Sequence, residues 1–301
     1  MRWSYQNLVY GANERHKFDV IIPKGKEVHA IVYIHGGAYL TGNKSQYPSF
    51  LEDYSKTNLF ASIDYRLISA DNNVQMENIL SDIHGALLKI IQISGTHNVA
   101  IKDFILIGHS AGGHIGLLYG YKFFRKDEKI KITACVSLAG PTDFTDDLGW
   151  SSMSMWGKDI ESRLLFLSQV GTRLTDHPIE ITQYNWTKQK NYHTFKKHLM
   201  HISPIAYVFN QTGGIPPTLL VHAQSDNQVP YSNAVRLKTA LEYASVPHKL
   251  ITPSGNADNH MLGGYTCAEF EPILYGNLFW VYEVKKWMET YLGSVEKGSL
   301  I

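Results

Sequence analysis

At 301 residues, 44% hydrophobic and 18% charged, the chain can bury a large core in one domain, or in one domain carrying an insertion. A formal net charge of +1 excludes the strongly basic surface of a nucleic-acid binder. No apolar run approaches membrane-spanning length, and two cysteines, Cys135 and Cys267, make no disulfide framework. The amino terminus, Met1 to Gln6, has no apolar signal-type run, so a cytoplasmic location is expected by default.

Residues 1–16 are polar with interspersed aromatics and fix no element. Phe18 to Ile22 reads as a strand stopped by Pro23, and His29 to Ile34 as a buried strand running into His35-Gly36-Gly37-Ala38-Tyr39. Leu59 to Ile63 is a third apolar strand, ending at Asp64-Tyr65-Arg66-Leu67. Ile79, Ile83, Leu87, Ile90 and Ile91 recur at helical spacing within Met76 to Ile93. Phe104 to Ile107 is a strand, Ala111 to Phe124 a helix, and Ile132 to Leu138 a strand in which Cys135 is a small core residue.

Residues 142–215 break this rhythm with Trp150, Trp156, Trp186, Met153, Met155 and a helical Ile160 to Val170. A stretch of that length is expected to be a cap or lid insertion over a binding site. Regular alternation then resumes: Pro217 to Ala223 as a strand, Ser232 to Tyr243 as a helix, His248 to Thr252 as a strand and Ile273 to Tyr291 as a helix. The tail from Ser294 is polar. Strands alternating with helices predict an α/β fold with a mostly parallel central sheet flanked by helices, its site at the carboxyl ends of the strands.

The chemistry-bearing stretch is Gly108-His109-Ser110-Ala111-Gly112-Gly113. A strand before it and a helix after it put Ser110 on a sharp turn with its hydroxyl exposed. The alternative is a glycine-rich junction with an incidental serine, so the partners decide. A serine hydroxyl needs a base. Of fourteen histidines, His260 lies in a turn-rich loop directly after a strand, where Ser110 also sits. His109 adjoins Ser110 but projects differently and is expected near bound substrate. His114 is a packing residue on the helix, and His35, His222 and His248 fall at or within strands. Asp226, in the loop after the Thr218 to Ala223 strand, is the expected acid; Asp143 is its rival, and Asp258 is too close in sequence to His260. Ser110, Asp226, His260 is the chain order of an elbow-based triad. The amides of Gly36, Gly37 and Ala111 are the expected oxyanion donors, with His35 bracing their loop and Tyr39 and Leu40 lining the substrate pocket.

These motifs together resemble the α/β-hydrolase esterases and lipases, and within them the hormone-sensitive-lipase-like and small carboxylesterases. The chain departs from that group in having Ala38 where a third glycine is usual and in an insertion that follows the Ile132 to Leu138 strand. Kynurenine formamidase-like and feruloyl- or acetyl-esterase-like relatives therefore stay open. The resemblance implies one α/β-hydrolase domain over 1–301, a serine nucleophile working through an acyl-enzyme, and no metal or organic cofactor; with the aromatic-rich insertion over the site, the expected activity is a serine carboxylesterase acting on small to medium acyl esters. The expected partner is a small-molecule ester, or formamide, substrate, with neither nucleic acid nor membrane. The alternatives are an arylformamidase on the same machinery and a non-catalytic ligand-binding protein on the same scaffold.

Overall fold

The computed structural model describes residues 2–69, 71–156, 158–175, 177, 192–210, 214–264, 271–276 and 278–292. Trp186, Cys267 and the tail from Ser294 lie outside the described residues. Its strands are β1 (Arg2–Val9), β2 (Lys17–Pro23), β3 (Glu27–Ile34), β4 (Leu59–Ile63), β5 (Ala100–His109), β6 (Ile132–Leu138), β7 (Thr218–Val221) and β8 (His248–Ile251). The helices are α1 (Met76–Thr96), α2 (Ala111–Phe123), α3 (Asp147–Ser151), α4 (Ile160–Thr175), α5 (Tyr192–His201), α6 (Tyr231–Tyr243) and α7 (Phe279–Leu292).

The eight strands form one sheet in the order β1-β2-β4-β3-β5-β6-β7-β8. Pairing is antiparallel for β1 with β2 and for β2 with β4, and parallel from β4 across to β8. Period-two alternation splits the apolar strands between two cores. Ala30, Val32, Ile34, Phe104 and Leu106 face a cluster filled by Ile83 and Ile90 of α1, Ile115 and Tyr119 of α2 and Leu237 of α6. Ile31, Tyr33, Ile105, Ile107, Leu219 and Val221 face a second cluster with Phe50, Leu51 and the α7 residues Trp280, Val284 and Met288. Both faces of the central strands are therefore dry, which is why these strands read as continuous apolar runs. Cys135 is buried in the first core, and burial raises its thiol pKa far above the usual range.

Two elements differ from expectation. Residues 2–9 form an edge strand, because β2 supplies a pairing partner that the polar sequence does not announce. Its register shifts between Tyr5 and Leu8, and within that bulge Asn7 takes φ 57° and donates its amide to Asp19 Oδ1 at 2.7 Å. The last helix begins at Phe279 rather than Ile273. Ile273 is instead held in a parallel bridge with Pro48, its amide donating to the Tyr47 carbonyl and its carbonyl accepting from the Ser49 amide.

The parallel arrangement gathers the carboxyl ends of β3, β5, β6, β7 and β8 along one edge. His35, Ser110, Ala139, His222 and Thr252 all follow directly from those ends or lie just beyond them. No described helix is long and apolar enough to cross a membrane.

Candidate active site

The turn between β5 and α2 sets the geometry of everything around it. Ser110 has φ 53° and ψ −123°, a conformation that costs a non-glycine residue ~1–3 kcal/mol and persists only where neighbours enforce it. Here the Ser110 amide donates to the Leu138 carbonyl of β6 at 2.7 Å, and the Ser110 carbonyl accepts from His114 N at 3.1 Å. The flanking glycines allow the close approach. A Cβ on Gly108 would lie 2.3 Å from the Gly112 carbonyl, and one on Gly112 would lie 2.0 Å from the Ile34 carbonyl of β3.

Ser110 Oγ is 2.9 Å from His260 Nε2, and His260 Nδ1 is 2.8 Å from Asp226 Oδ2. The carboxylate can only accept, so His260 carries its proton on Nδ1 and leaves Nε2 free to take the serine proton. Asp226 Oδ1 accepts the amides of Gln228 at 2.8 Å and Val229 at 3.0 Å, which folds the loop around the acid. Burial acts to raise the Asp226 carboxyl, but hydrogen bonds from His222 and His260 outweigh it and hold the group well below the ordinary carboxylate range. Asp226 is thus an anion throughout the neutral range. The loops bearing acid and base are tied to each other by Asp258, which accepts from the Ser225 amide at 2.9 Å and the Ser225 hydroxyl at 2.8 Å.

Asp143 goes elsewhere. Its Oδ2 accepts from Arg236 Nε at 2.8 Å, and its Oδ1 takes the Thr145 amide and hydroxyl. It therefore serves the junction between the β6 exit and α6, not His260.

The loop after β3 packs directly on the elbow, where a Cβ on Gly36 would lie 2.8 Å from the His109 carbonyl. Gly37, Ala38 and Tyr39 have φ 106°, 51° and 67°, a left-handed turn in which the Gly37 carbonyl accepts from the Leu40 and Thr41 amides. Among the described residues, no group accepts from the amides of Gly36 and Gly37. Ala111 is the first residue of α2, so its amide is one of the donors a helix leaves unpaired at its positive end. His35 braces this loop. Its Nδ1–H donates to the Gly36 carbonyl at 2.7 Å, its Nε2 accepts from Arg15 at 3.1 Å, and its ring stacks on Tyr65. Burial pushes His35 down to about 3, so it stays neutral.

His109 is buried, and its Nε2–H donates to the His260 carbonyl at 2.9 Å. Burial, then the adjacent His260, push it down to about 4. Tyr39 is buried with its hydroxyl on His114 Nδ1 at 2.9 Å, while Leu40 is half exposed. His114 is fully buried, as expected of a packing residue.

A cavity of about 420 Å³ opens onto Ser110, His260, Gly36 and Gly37, with Leu40, Gln46, Gln228, Met261 and Ile273 among its walls. A second cavity, of about 360 Å³, shares Ala38 and Leu40 with the first and is closed by Ile68, Tyr39 and the α4 residues Gln169, Val170 and Arg173. The segment before α4 is fastened to the acid loop, with Trp156 Nε1–H on the Gln228 carbonyl at 2.6 Å and the Met155 amide on the Asn227 carbonyl at 3.2 Å. Among the described residues, no cluster of three or more His, Cys, Asp or Glu side chains is disposed to hold a metal ion.

Sequence reasoning missed Gln46, Gln228 and Met261 as cavity walls, because each depends on which loops meet. It also left His222 inside a strand, although its position four residues before Asp226 at a strand end was the available signal.

Sheet order, elbow and strand-end site define the α/β-hydrolase fold. More narrowly, the chain belongs to the BD-FAE family, whose model matches residues 18–241. No curated protein sequence matches it significantly. Among solved structures, it is similar to the thermophilic esterase Est2 of the planctomycete Thermogutta terrifontis, with TM-score 0.63 and 18% identity over 99% of this chain and 95% of that one. Esterase B of Lactobacillus rhamnosis HN001 gives TM-score 0.65 and 13% identity over 96% and 85% of the two chains. A truncated carbohydrate esterase from gut microbiota gives TM-score 0.61 and 19% identity over 87% and 90%.

Proposed function

We propose that the protein is a serine carboxylesterase hydrolysing small to medium acyl esters. The observation that carries this reading is the unbroken relay from Ser110 Oγ through His260 to Asp226, at 2.9 and 2.8 Å. His260 Nε2 takes the serine proton as Ser110 Oγ attacks the ester carbonyl. Asp226 holds the resulting imidazolium and its orientation. The tetrahedral oxyanion is received by the amides of Gly36, Gly37 and Ala111, each such donor being worth about 3 kcal/mol to the transition state. His260 then protonates the departing alkoxide, and the acyl-serine is cleaved by water through the same steps in reverse roles.

The size of the catalytic cavity, about 420 Å³, supports short to medium groups over long chains. So does the company the fold keeps: Est2 has structures with propionate and with butyrate bound, and Esterase B one inhibited by a tributyrin phosphonate. We assign 142–215 to a cap over this site; the support is α4 closing the second cavity and Trp156 holding the Gln228 loop. His109 lines the cavity at Ser110 and also donates to the His260 carbonyl, so it stands beside bound substrate as well as behind the base; Ala38 and Leu40 line both cavities and Tyr39 the second.

The test is a p-nitrophenyl ester series from acetate to palmitate on the wild type and Ser110→Ala. Turnover is expected to peak at short to medium chains and to vanish in the variant. Wild-type-like turnover in Ser110→Ala overturns the reading. Phosphonate labelling of Ser110 without turnover of any ester would move the assignment to another acyl substrate such as a formamide, and no labelling would favour a binding protein.

A further inference from the structure

We propose that His222 is a positioning residue for this reaction, holding the Asp226 carboxylate in the rotamer that faces His260; the role rests on the reading of Ser110, Asp226 and His260 given above. His222 follows β7 directly, is 2% exposed, and has its own amide anchored on the Ile251 carbonyl of β8 at 3.0 Å. Its Nε2 lies 3.0 Å from the Val229 carbonyl and 3.3 Å from Asp226 Oδ2. Both neighbours can only accept, so Nε2 carries the ring proton; it is directed at the Val229 carbonyl, with Asp226 Oδ2 as a second, longer contact.

That longer contact completes the acid's surroundings. Asp226 receives the Gln228 and Val229 amides on Oδ1, and His260 Nδ1 and His222 Nε2 on Oδ2. A carboxylate offers about four lone-pair sites; three take hydrogen bonds here, and the His222 contact stands at the fourth. Val229 is used twice, its amide on the acid and its carbonyl on His222, so the histidine also closes the turn that carries Asp226. Without this contact, among the described residues, Oδ2 is held only by His260, the group whose orientation it is meant to set. Proton transfer from Ser110 then starts from a base free to swing.

The experiment compares His222→Phe with His222→Gln in ester hydrolysis and phosphonate labelling, alongside the wild type and Ser110→Ala. Phe keeps an aromatic ring against Tyr231 but has no N–H, whereas Gln keeps an N–H of similar reach and loses the ring. We expect Phe to lower kcat roughly 10- to 100-fold, as for one lost hydrogen bond to a charged group, with KM within about threefold. Gln should recover most of the rate. A purely structural histidine would give the opposite order, so Phe equal to or better than Gln overturns the proposal, as do two variants that are both wild-type-like or both equally impaired. In the wild type, ring 15N spectra should give the Nε2–H tautomer at neutral pH, and the Nδ1–H tautomer would overturn the proposal without any variant. Failure of the esterase reading itself looks different: wild-type protein would then neither turn over esters nor label at Ser110.

Discussion

Ser110 gains its reach from a backbone that a serine does not adopt unaided. The φ of 53° lifts its hydroxyl out of the sheet edge, and the bond to the Leu138 carbonyl holds it there. Asp226 is held differently, by what it accepts. In Asp226→Asn the amide oxygen can still take the Gln228 and Val229 amides, so the loop should keep its shape. The new NH₂ would face two N–H donors, His260 and His222, and should turn His260 to the wrong tautomer. We therefore expect kcat to fall by about 10³- to 10⁴-fold with an unchanged circular dichroism spectrum, and with more residual rate than Ser110→Ala leaves; steady-state kinetics on both variants checks this. Ser110, Asp226 and His260 were legible because each sits in a distinctive turn after an apolar run, in an order that one fold explains. His222 was not, because its value lies in a carbonyl and a carboxylate that only the folded loop brings to it.

At the scale of elements, the strands were readable almost to the residue where both faces are dry, as in β4 and β6. The edge strand and the start of α7 were not, since a partner strand and the Pro48 bridge decide them. The junction of β5 with α2 leaves no slack. A methyl at Gly112 would collide with the Ile34 carbonyl, a backbone atom with nowhere to go. Gly112→Ala should cost about 3 kcal/mol or more, read as a shift in urea midpoint or as loss of soluble protein. One of the ties between the insertion and the site is the Trp156 indole. Trp156→Phe keeps the ring but gives up the bond to the Gln228 carbonyl, and should cost about 1 kcal/mol. It should also change the acyl-chain profile, since Gln228 lines the catalytic cavity; an unaltered profile would detach the insertion from specificity.

Across the whole molecule, neutral histidines are part of the scaffold. His35, His109 and His114 are buried, and burial pushes them down to about 3, 4 and 4 respectively. An unfolded imidazole takes its proton near pH 6.5. Between there and about pH 4 the unfolded chain binds more protons than the folded one, so stability rises with pH across that window. It should be complete above about pH 6.5 and drain away below it, with Asp226 adding a further loss once the pH falls under the ordinary carboxylate value. Melting temperatures at pH 7.5, 6, 5 and 4.5 should descend in that order; a flat series would contradict the buried, neutral state of these rings.

The relay also joins residues 150 positions apart, Ser110 from the middle of the sheet and His260 from beyond its final strand. No early piece of the chain, emerging or refolding, can own this site. It comes into being when β7 and β8 dock, after two long loops have been closed against their entropy. The proposed hydrolysis is thus a clock for the last event of folding. On dilution from urea, activity should return with the slowest phase, after the bulk of the far-ultraviolet signal, and the nascent chain should stay chemically silent until its carboxyl-terminal third has joined the sheet.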